Sequence, residues 1–222
     1  MNYDSVPLRD FKELNDWETV IFVYQSALKQ VETKIDILNG EFQHRHKYNP
    51  IEHVKSRIKT PESIVKKLKR HGYESSIENM VRYVNDIAGI RISCSFTSDI
   101  YLIADMISKQ NDLTILARRD YMKNPKKSGY RSYHMLVTTP VFLSDSIIDT
   151  KVEIQIRTVA QDFWATLEHK MHYKFEGDGP DYITKELREC ARYVAELDTR
   201  MEELNNDCLL YTSDAADDSL RV

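Results

Sequence analysis

The 222-residue sequence lacks any long apolar run; its strongly apolar stretches are only a few residues long. A helix that crosses a bilayer needs roughly 20 such residues, so no membrane span is expected. The opening residues, MNYDSVPLRDF, carry neither a basic n-region nor an apolar h-region, and no secretory signal is read there. Cysteine is scarce: Cys94, Cys190 and Cys208 are odd in number, far apart and without CxxC spacing. That pattern argues against a disulfide framework or a structural zinc site and for a reducing compartment, the cytoplasm. Neither GxxxxGK[ST] nor GxGxxG occurs, which excludes a Walker-type ATPase and a Rossmann dehydrogenase. Internal repeats and linkers are absent too, so a single domain over 1–205 is expected. The tail 206–222 breaks the helical period and ends in small and acidic residues, and is expected to be disordered or foreign to the fold.

What is present is an uneven distribution of charge. The net charge is −4, yet residues 55–70 (KSRIKTPESIVKKLKR) hold seven cations against Glu62 alone. Residues 118–131 (RRDYMKNPKKSGYR) hold six against Asp120. Each run by itself reads as a solvated face. Two such runs in a mildly acidic chain point to an anionic ligand held between them.

Hydrophobic spacing predicts an amphipathic helix from Trp17 to about Phe42, with Asn39-Gly40 as its end. Thr60-Pro61-Glu62 reads as an N-cap, a first-turn proline and a first-turn acid, opening a helix that His71-Gly72 stops. Period-two alternation predicts strands at 90–96, 113–118, 129–140 (ended by Pro140) and 151–158. Helices are expected over 98–109, 159–173 and 182–205, with a Gly-Asp-Gly-Pro break at 177–180. The fold class is therefore α+β: a mixed β-sheet of about four or five strands flanked by helices, with long helices at both ends.

Along the strand 151–158, Val152, Ile154 and Ile156 share one face and Glu153, Gln155 and Arg157 the other. An acid, an amide and a base thus stand within about 13 Å at roughly 3.3 Å per residue. A solvated antiparallel face would also account for that row. Asp86, at the start of a strand that presents Arg91, supplies a second carboxylate, and a pair of carboxylates suits magnesium. In 123–135 (KNPKKSGYRSYHM), Gly129 permits a close approach or an unusual backbone angle. Lys126 and Lys127 stand at the mouth of a site, and Tyr130 and His134 follow on one face, fit for a purine and a phosphate or sugar. Arg57, Lys59, Lys67 and Arg70 form a second cationic clamp. Two clamps, two carboxylates and an aromatic fit phosphoryl transfer between nucleotides, in which positioning and charge neutralisation carry the catalysis. His169 and His172 lack a third ligand in the sequence and read as helix packing or surface.

The segments DIAGIRI (86–92), KKSGYRSYH (126–134), VEIQIRT (152–158) and DFWATLEHKMHYK (162–174) together resemble the small alarmone synthetases, the RelP/RelQ type of the Rel/Spo family. The resemblance covers about residues 15–205. It implies a nucleotidyltransferase-like fold and an enzyme that moves the β,γ-pyrophosphate of ATP onto the 3′-hydroxyl of GDP or GTP. The products would be ppGpp or pppGpp and AMP, with Mg2+ as cofactor. By motif, Asp86 and Glu153 correspond to the metal carboxylates, Glu153 also to the base for the 3′-hydroxyl. Arg57 and Arg91 correspond to the pair that sandwiches adenine, and Lys59, Lys67, Arg70 and Arg119 to ATP-phosphate contacts. Tyr130 corresponds to the guanine-stacking tyrosine, Lys126 and His134 to acceptor-phosphate contacts, and Gln155, Asp162 and Glu168 to the guanosine side.

The resemblance further implies a homotetramer in the cytoplasm, with nucleotides as partners and neither membrane nor DNA. No His-Asp dipeptide of the alarmone-hydrolase domain occurs, so synthesis without hydrolysis is expected. In the RelQ-like branch a phenylalanine and a Thr-Gly precede the ATP-binding arginine and help form an allosteric pppGpp cleft. Here IEHVKSR (51–57) places His53, Lys55 and Ser56 there, which predicts weak or no activation by product. The alternative is a catalytically weak module of the same fold that binds nucleotide or single-stranded RNA, stacking bases along its basic, aromatic track.

Overall fold

Thr60, Pro61 and Glu62 do locally what their chemistry requires. In the computed structural model, which describes residues 16–46, 48–174 and 180–219 (without side chains at 172–174 and 211–219), they open a helix. Thr60 accepts from the Ser63 N–H, Pro61 is the first helical residue, and Gly72 ends the segment at φ +77°. In chain order the elements are α1 (Trp17–His46), β1 (Ile51–Ile58), α2 (Pro61–Arg70), α3 (Ile77–Tyr83), β2 (Ala88–Cys94) and α4 (Thr97–Ser108). There follow β3 (Thr114–Asp120), β4 (Tyr133–Phe142), β5 (Ile147–Thr158), α5 (Val159–Lys174) and α6 (Asp181–Ser219). The five strands form one mixed sheet in the order β1-β2-β5-β4-β3, in which only β2 and β5 run parallel.

The sheet is apolar on one face. Ile90, Ile92, Met135, Val137, Val152, Ile154 and Ile156 are buried there with Val20, Val23, Tyr24 and Ala27 of α1 and Ile100 and Ile103 of α4. Burying side chains of this size stabilises by about 1.5–3 kcal/mol each, which fixes the strand register. Every side chain of opposite parity, Glu153, Gln155 and Arg157 among them, is then delivered to the other face.

Several expected boundaries shift. Helix α1 runs on through Asn39-Gly40 to His46, because Gly40 does not take the left-handed backbone of a helix cap. Strand β4 starts at Tyr133 and continues through Pro140 to Phe142. Its last pairing with β3 is at Thr138, so beyond that point β4 has a neighbour on one side only, where a proline is tolerated. Strand β1 has no counterpart in the expected elements. It is an edge strand with a register shift between Ile51 and His53 and with charges along it, which masks the alternation. Helix α6 continues past Asn205 to Ser219; residues 206–219 contain no glycine or proline to stop it. The expected break at 177–180 lies, apart from Pro180, outside the described residues. Among the described residues, no helix is long and apolar enough to cross a membrane.

Candidate active site

Strand pairing turns isolated sequence positions into rows across the sheet. Lys55, Arg91, Gln155, His134 and Arg119 pair in succession from β1 to β3, so one transverse row carries a polar side chain on every strand. The neighbouring row is Arg57, Gly89, Glu153, Leu136 and Ala117. Gly89 beside its carboxylate, and Ala117 beyond Leu136, are small and leave room above the sheet where the first row has side chains.

That room forms two cavities that share both carboxylates. The first, ≈ 240 Å³, is lined by Arg57, Arg91, Gly89, Lys55, Asp86 and Glu153 among others. The second, ≈ 170 Å³, is lined by Lys67, Asn85, Asp86, Arg119, His134 and Glu153 among others. Asp86 and Glu153 therefore stand at the junction of an arginine-walled chamber and a mixed Lys/Arg/His chamber. Asp86 sits between Lys59 (2.6 Å) and Lys67 (2.7 Å). Burial pushes its carboxyl up, but the two ammonium partners outweigh burial and hold it below the usual carboxylate range. Its segment is anchored from below by Lys151 of β5, a buried lysine whose ammonium donates to the Arg82 carbonyl (3.1 Å) and to Asn85 Oδ1 (3.0 Å).

Glu153 is tied on both oxygens. Gln155 Nε2 donates to Oε2 at 2.8 Å, and His134 Nδ1 lies 3.5 Å from Oε1. Burial raises this carboxyl, yet His134 and Gln155 more than compensate, and it is held ionised below its ordinary range. The other ring nitrogen of His134 meets the Tyr130 hydroxyl at 2.9 Å. Tyr130 is placed by a tight loop in which Gly129 N–H bonds to the Lys126 carbonyl (2.8 Å) and Lys126 N–H to the Tyr130 carbonyl (3.1 Å). Gly129 has φ +92°, and a Cβ there would lie 2.5 Å from the Ala191 Cβ, so both its conformation and its close approach to α6 demand glycine. The Lys126 ammonium lies 4.6 Å from the Tyr130 ring centre, and the Arg157 guanidinium 5.6 Å from it.

The expected site residues gather unequally. Arg57, Arg91, Asp86 and Glu153 line the first cavity; Lys67, Arg119 and His134 join the carboxylates in the second; Lys59 reaches Asp86. Gln155 contacts Glu153, Tyr130 contacts His134, Lys126 lies over the Tyr130 ring, and Asp162 pairs with Arg91 (3.4 Å) and Arg157 (3.6 Å). Arg70, exposed at the end of α2, and Glu168, further along α5, do not line these two cavities. Lys55 and Ser56, expected to differ from an allosteric cleft, line the first cavity beside Arg57. The side chain of His172 lies outside the described residues, and His169 is exposed. Sequence reasoning missed Lys151 and gave Arg157 no role; the latter was visible as the third member of the alternating polar face. Among the described residues no cluster of three or more His, Cys, Asp or Glu side chains is placed to hold a metal. A divalent cation would rest on Asp86 and Glu153 alone and complete its shell with phosphate oxygens and water, which suits magnesium.

Comparison with known proteins follows the same residues. A family model described as a region found in RelA/SpoT proteins matches residues 56–178. The GTP pyrophosphokinase YwaC of Bacillus subtilis is 46% identical over 188 residues, covering 85% of this chain and 90% of the relative. The crystal structure of small alarmone synthetase 2 from B. subtilis superposes with a TM-score of 0.78 at 43% identity, over 86% of this chain and 99% of that one. That of B. subtilis small alarmone synthetase 1 bound to its product pppGpp superposes with a TM-score of 0.80 at 34% identity, over 86% and 97%.

Proposed function

The chain belongs to the RelA/SpoT family, and from that premise we infer that it is a GTP pyrophosphokinase, a small alarmone synthetase. It transfers the β,γ-pyrophosphate of ATP to the 3′-hydroxyl of GDP or GTP, giving ppGpp or pppGpp and AMP. The observation that carries this reading is the position of Glu153: an ionised, half-buried carboxylate shared by two cationic cavities, with His134 and, through it, Tyr130 beside it.

In this reading Arg57 and Arg91 clasp the adenine in the first cavity, since guanidinium planes stack on π-systems. Lys59, Lys67, Arg70 and Arg119 neutralise the ATP phosphates. The guanine stacks on Tyr130, with Lys126 and His134 near the acceptor phosphates and Gln155, Asp162 and Glu168 on the guanosine side. Glu153 accepts the 3′-hydroxyl proton. The 3′-oxygen forms its bond to the β-phosphorus while the bond from that phosphorus to the α,β-bridging oxygen breaks and AMP leaves. Mg2+ on Asp86 and Glu153 would supply charge neutralisation for the phosphates. The Lys59 and Lys67 ammonium groups, now on Asp86, stand where they can turn to those phosphates. We place the synthetase domain in residues 1–205, acting in the cytoplasm as a homotetramer, with weak or no activation by pppGpp. Tyr193, Leu197, Met201 and Leu204, exposed at helical spacing on α6, support self-association.

The test is a product assay with ATP, Mg2+ and GDP or GTP, the nucleotides resolved by ion exchange. Wild type is expected to yield AMP and ppGpp or pppGpp in equal amounts. Glu153→Gln should lose about 10²–10⁴-fold in rate, the range of a lost general base. Absence of AMP with both acceptors overturns the reading.

A further inference from the structure

We propose that Arg157 is a positioning residue of the acceptor-nucleotide subsite, closing a ring of side chains that holds Tyr130 and Glu153 in fixed relation. This rests on the pyrophosphate-transfer reading, and none of the roles set out above includes Arg157.

The ring can be followed contact by contact. The Tyr130 hydroxyl meets His134 Nε2 at 2.9 Å, and His134 Nδ1 faces Glu153 Oε1 at 3.5 Å. Glu153 Oε2 accepts from Gln155 Nε2 at 2.8 Å, and Gln155 Oε1 accepts from Arg157 Nη2 at 2.9 Å. The Arg157 guanidinium then returns to the Tyr130 ring at 5.6 Å. Five side chains thus form a closed circuit with the base as one member.

Arg157 sets the orientation of the others by chemistry alone. A guanidinium only donates, so the Gln155 amide must turn its oxygen towards Arg157. Its NH2 group is left for Glu153, a carboxylate that only accepts. Remove Arg157 and the amide oxygen loses its donor, so only the Glu153 carboxylate is left to hold the amide in place. Burial points the same way. Arg157 is 2% exposed, and a guanidinium held that deeply is a poor source of stability against an apolar side chain of equal size. Its Nε has no hydrogen bond, and its carboxylate partner Asp162 stands 3.6 Å away, shared with Arg91. The two cations on the Tyr130 ring also differ in kind. Lys126 is exposed and free to follow a phosphate, whereas Arg157 is locked in β5 and stays as the backing of the ring.

The experiment compares Arg157→Met, Arg157→Lys, Gln155→Leu and the Met/Leu double variant with wild type. Binding of GDP and of a non-hydrolysable ATP analogue is measured by calorimetry without turnover, beside kcat and KM for each substrate. Arg157→Met should weaken GDP binding and lower kcat by about 10-fold or more, the effect of leaving a buried polar partner unpaired. Its affinity for the ATP analogue should stay within about 3-fold, and the double variant should be no worse than Arg157→Met by more than about 3-fold, as for residues acting as one unit. Arg157→Lys keeps the charge without the planar fork, so it should not restore GDP affinity. If Arg157→Met does not fold, Arg157→Lys decides. The proposal is overturned by Arg157→Met with GDP affinity and kcat near wild type, by equal losses for both nucleotides, or by full rescue in Arg157→Lys. Wild type that makes no AMP overturns the pyrophosphate-transfer reading instead, and the inference with it.

Discussion

At the scale of single residues the most telling group is Lys151. It is 4% exposed, forms no ion pair among the described residues, and satisfies its ammonium on one carbonyl and one amide oxygen. Burial alone pulls its pKa down to about 8. Below that value the folded and unfolded chains both hold the proton, and the folded state carries the full desolvation cost. Between about 8 and the free-lysine value of about 10.4 the unfolded chain binds more proton than the folded one, so stability rises with pH. At about 1.4 kcal/mol per pH unit, the gain is on the order of 3 kcal/mol over that window. Urea unfolding of wild type and Lys151→Met from pH 7.5 to 10.5 isolates this term as the difference between the two curves. The wild-type curve is expected to climb relative to the variant; parallel curves would remove Lys151 from the account. Nothing in the sequence marks this lysine, because its meaning lies in two acceptors that are 66 and 69 residues away. Glu153, Gln155 and Arg157 were legible, since strand parity alone puts them on one face. Their closure into a ring was not, for it depends on the pairing of β4 with β5.

At the scale of elements, local signals wrote themselves into sequence wherever the backbone needed a special residue. Thr60-Pro61 opened α2, Gly72 closed it, and Gly129 marked the loop before β4. Edge strand β1 stayed hidden, because an edge tolerates charges where a central strand does not. The loop at Gly129 offers a direct test of how an element positions a site. Gly129→Ala meets two obstacles: a left-handed backbone and a Cβ within 2.5 Å of Ala191 on α6. The first costs about 1–2 kcal/mol and the overpacking a further ~1–3 kcal/mol. Thermal or urea melts should show their sum, and Ala191→Gly in the same chain should recover only the overpacking part, less about 1 kcal/mol for a helical glycine. Full recovery would mean that the backbone angle carries no strain. Because Tyr130 follows Gly129 directly, KM for GDP should rise in Gly129→Ala while KM for ATP stays near wild type.

At the scale of the whole molecule, the sheet divides the labour: one face is a packed core, the other a polar surface with two cavities and two carboxylates at their junction. What the sheet does not explain is the outer side of α6. Tyr193, Leu197, Met201 and Leu204 are 56%, 51%, 46% and 56% exposed at helical spacing, while Leu187 and Ala191 of the same helix face inward. Helix α5 adds Val159, Phe163 and Leu167, four residues apart and open as well. A continuous exposed apolar row of this kind marks a surface that is covered in the functional state. In the homotetramer proposed above, we take the cover to be a second copy of the same helix, in which a residue near a two-fold axis meets itself. Leu197→Glu with Leu204→Glu therefore sets like charges against each other in a desolvated seam, a penalty of several kcal/mol, roughly 3–5 for each uncompensated charge. Light scattering after size exclusion should show wild type as a tetramer and the double variant as a smaller species at equal concentration. Since α6 also holds the Gly129 loop through Ala191, the smaller species should lose acceptor affinity before it loses ATP affinity. An unchanged mass would move the interface elsewhere on the molecule.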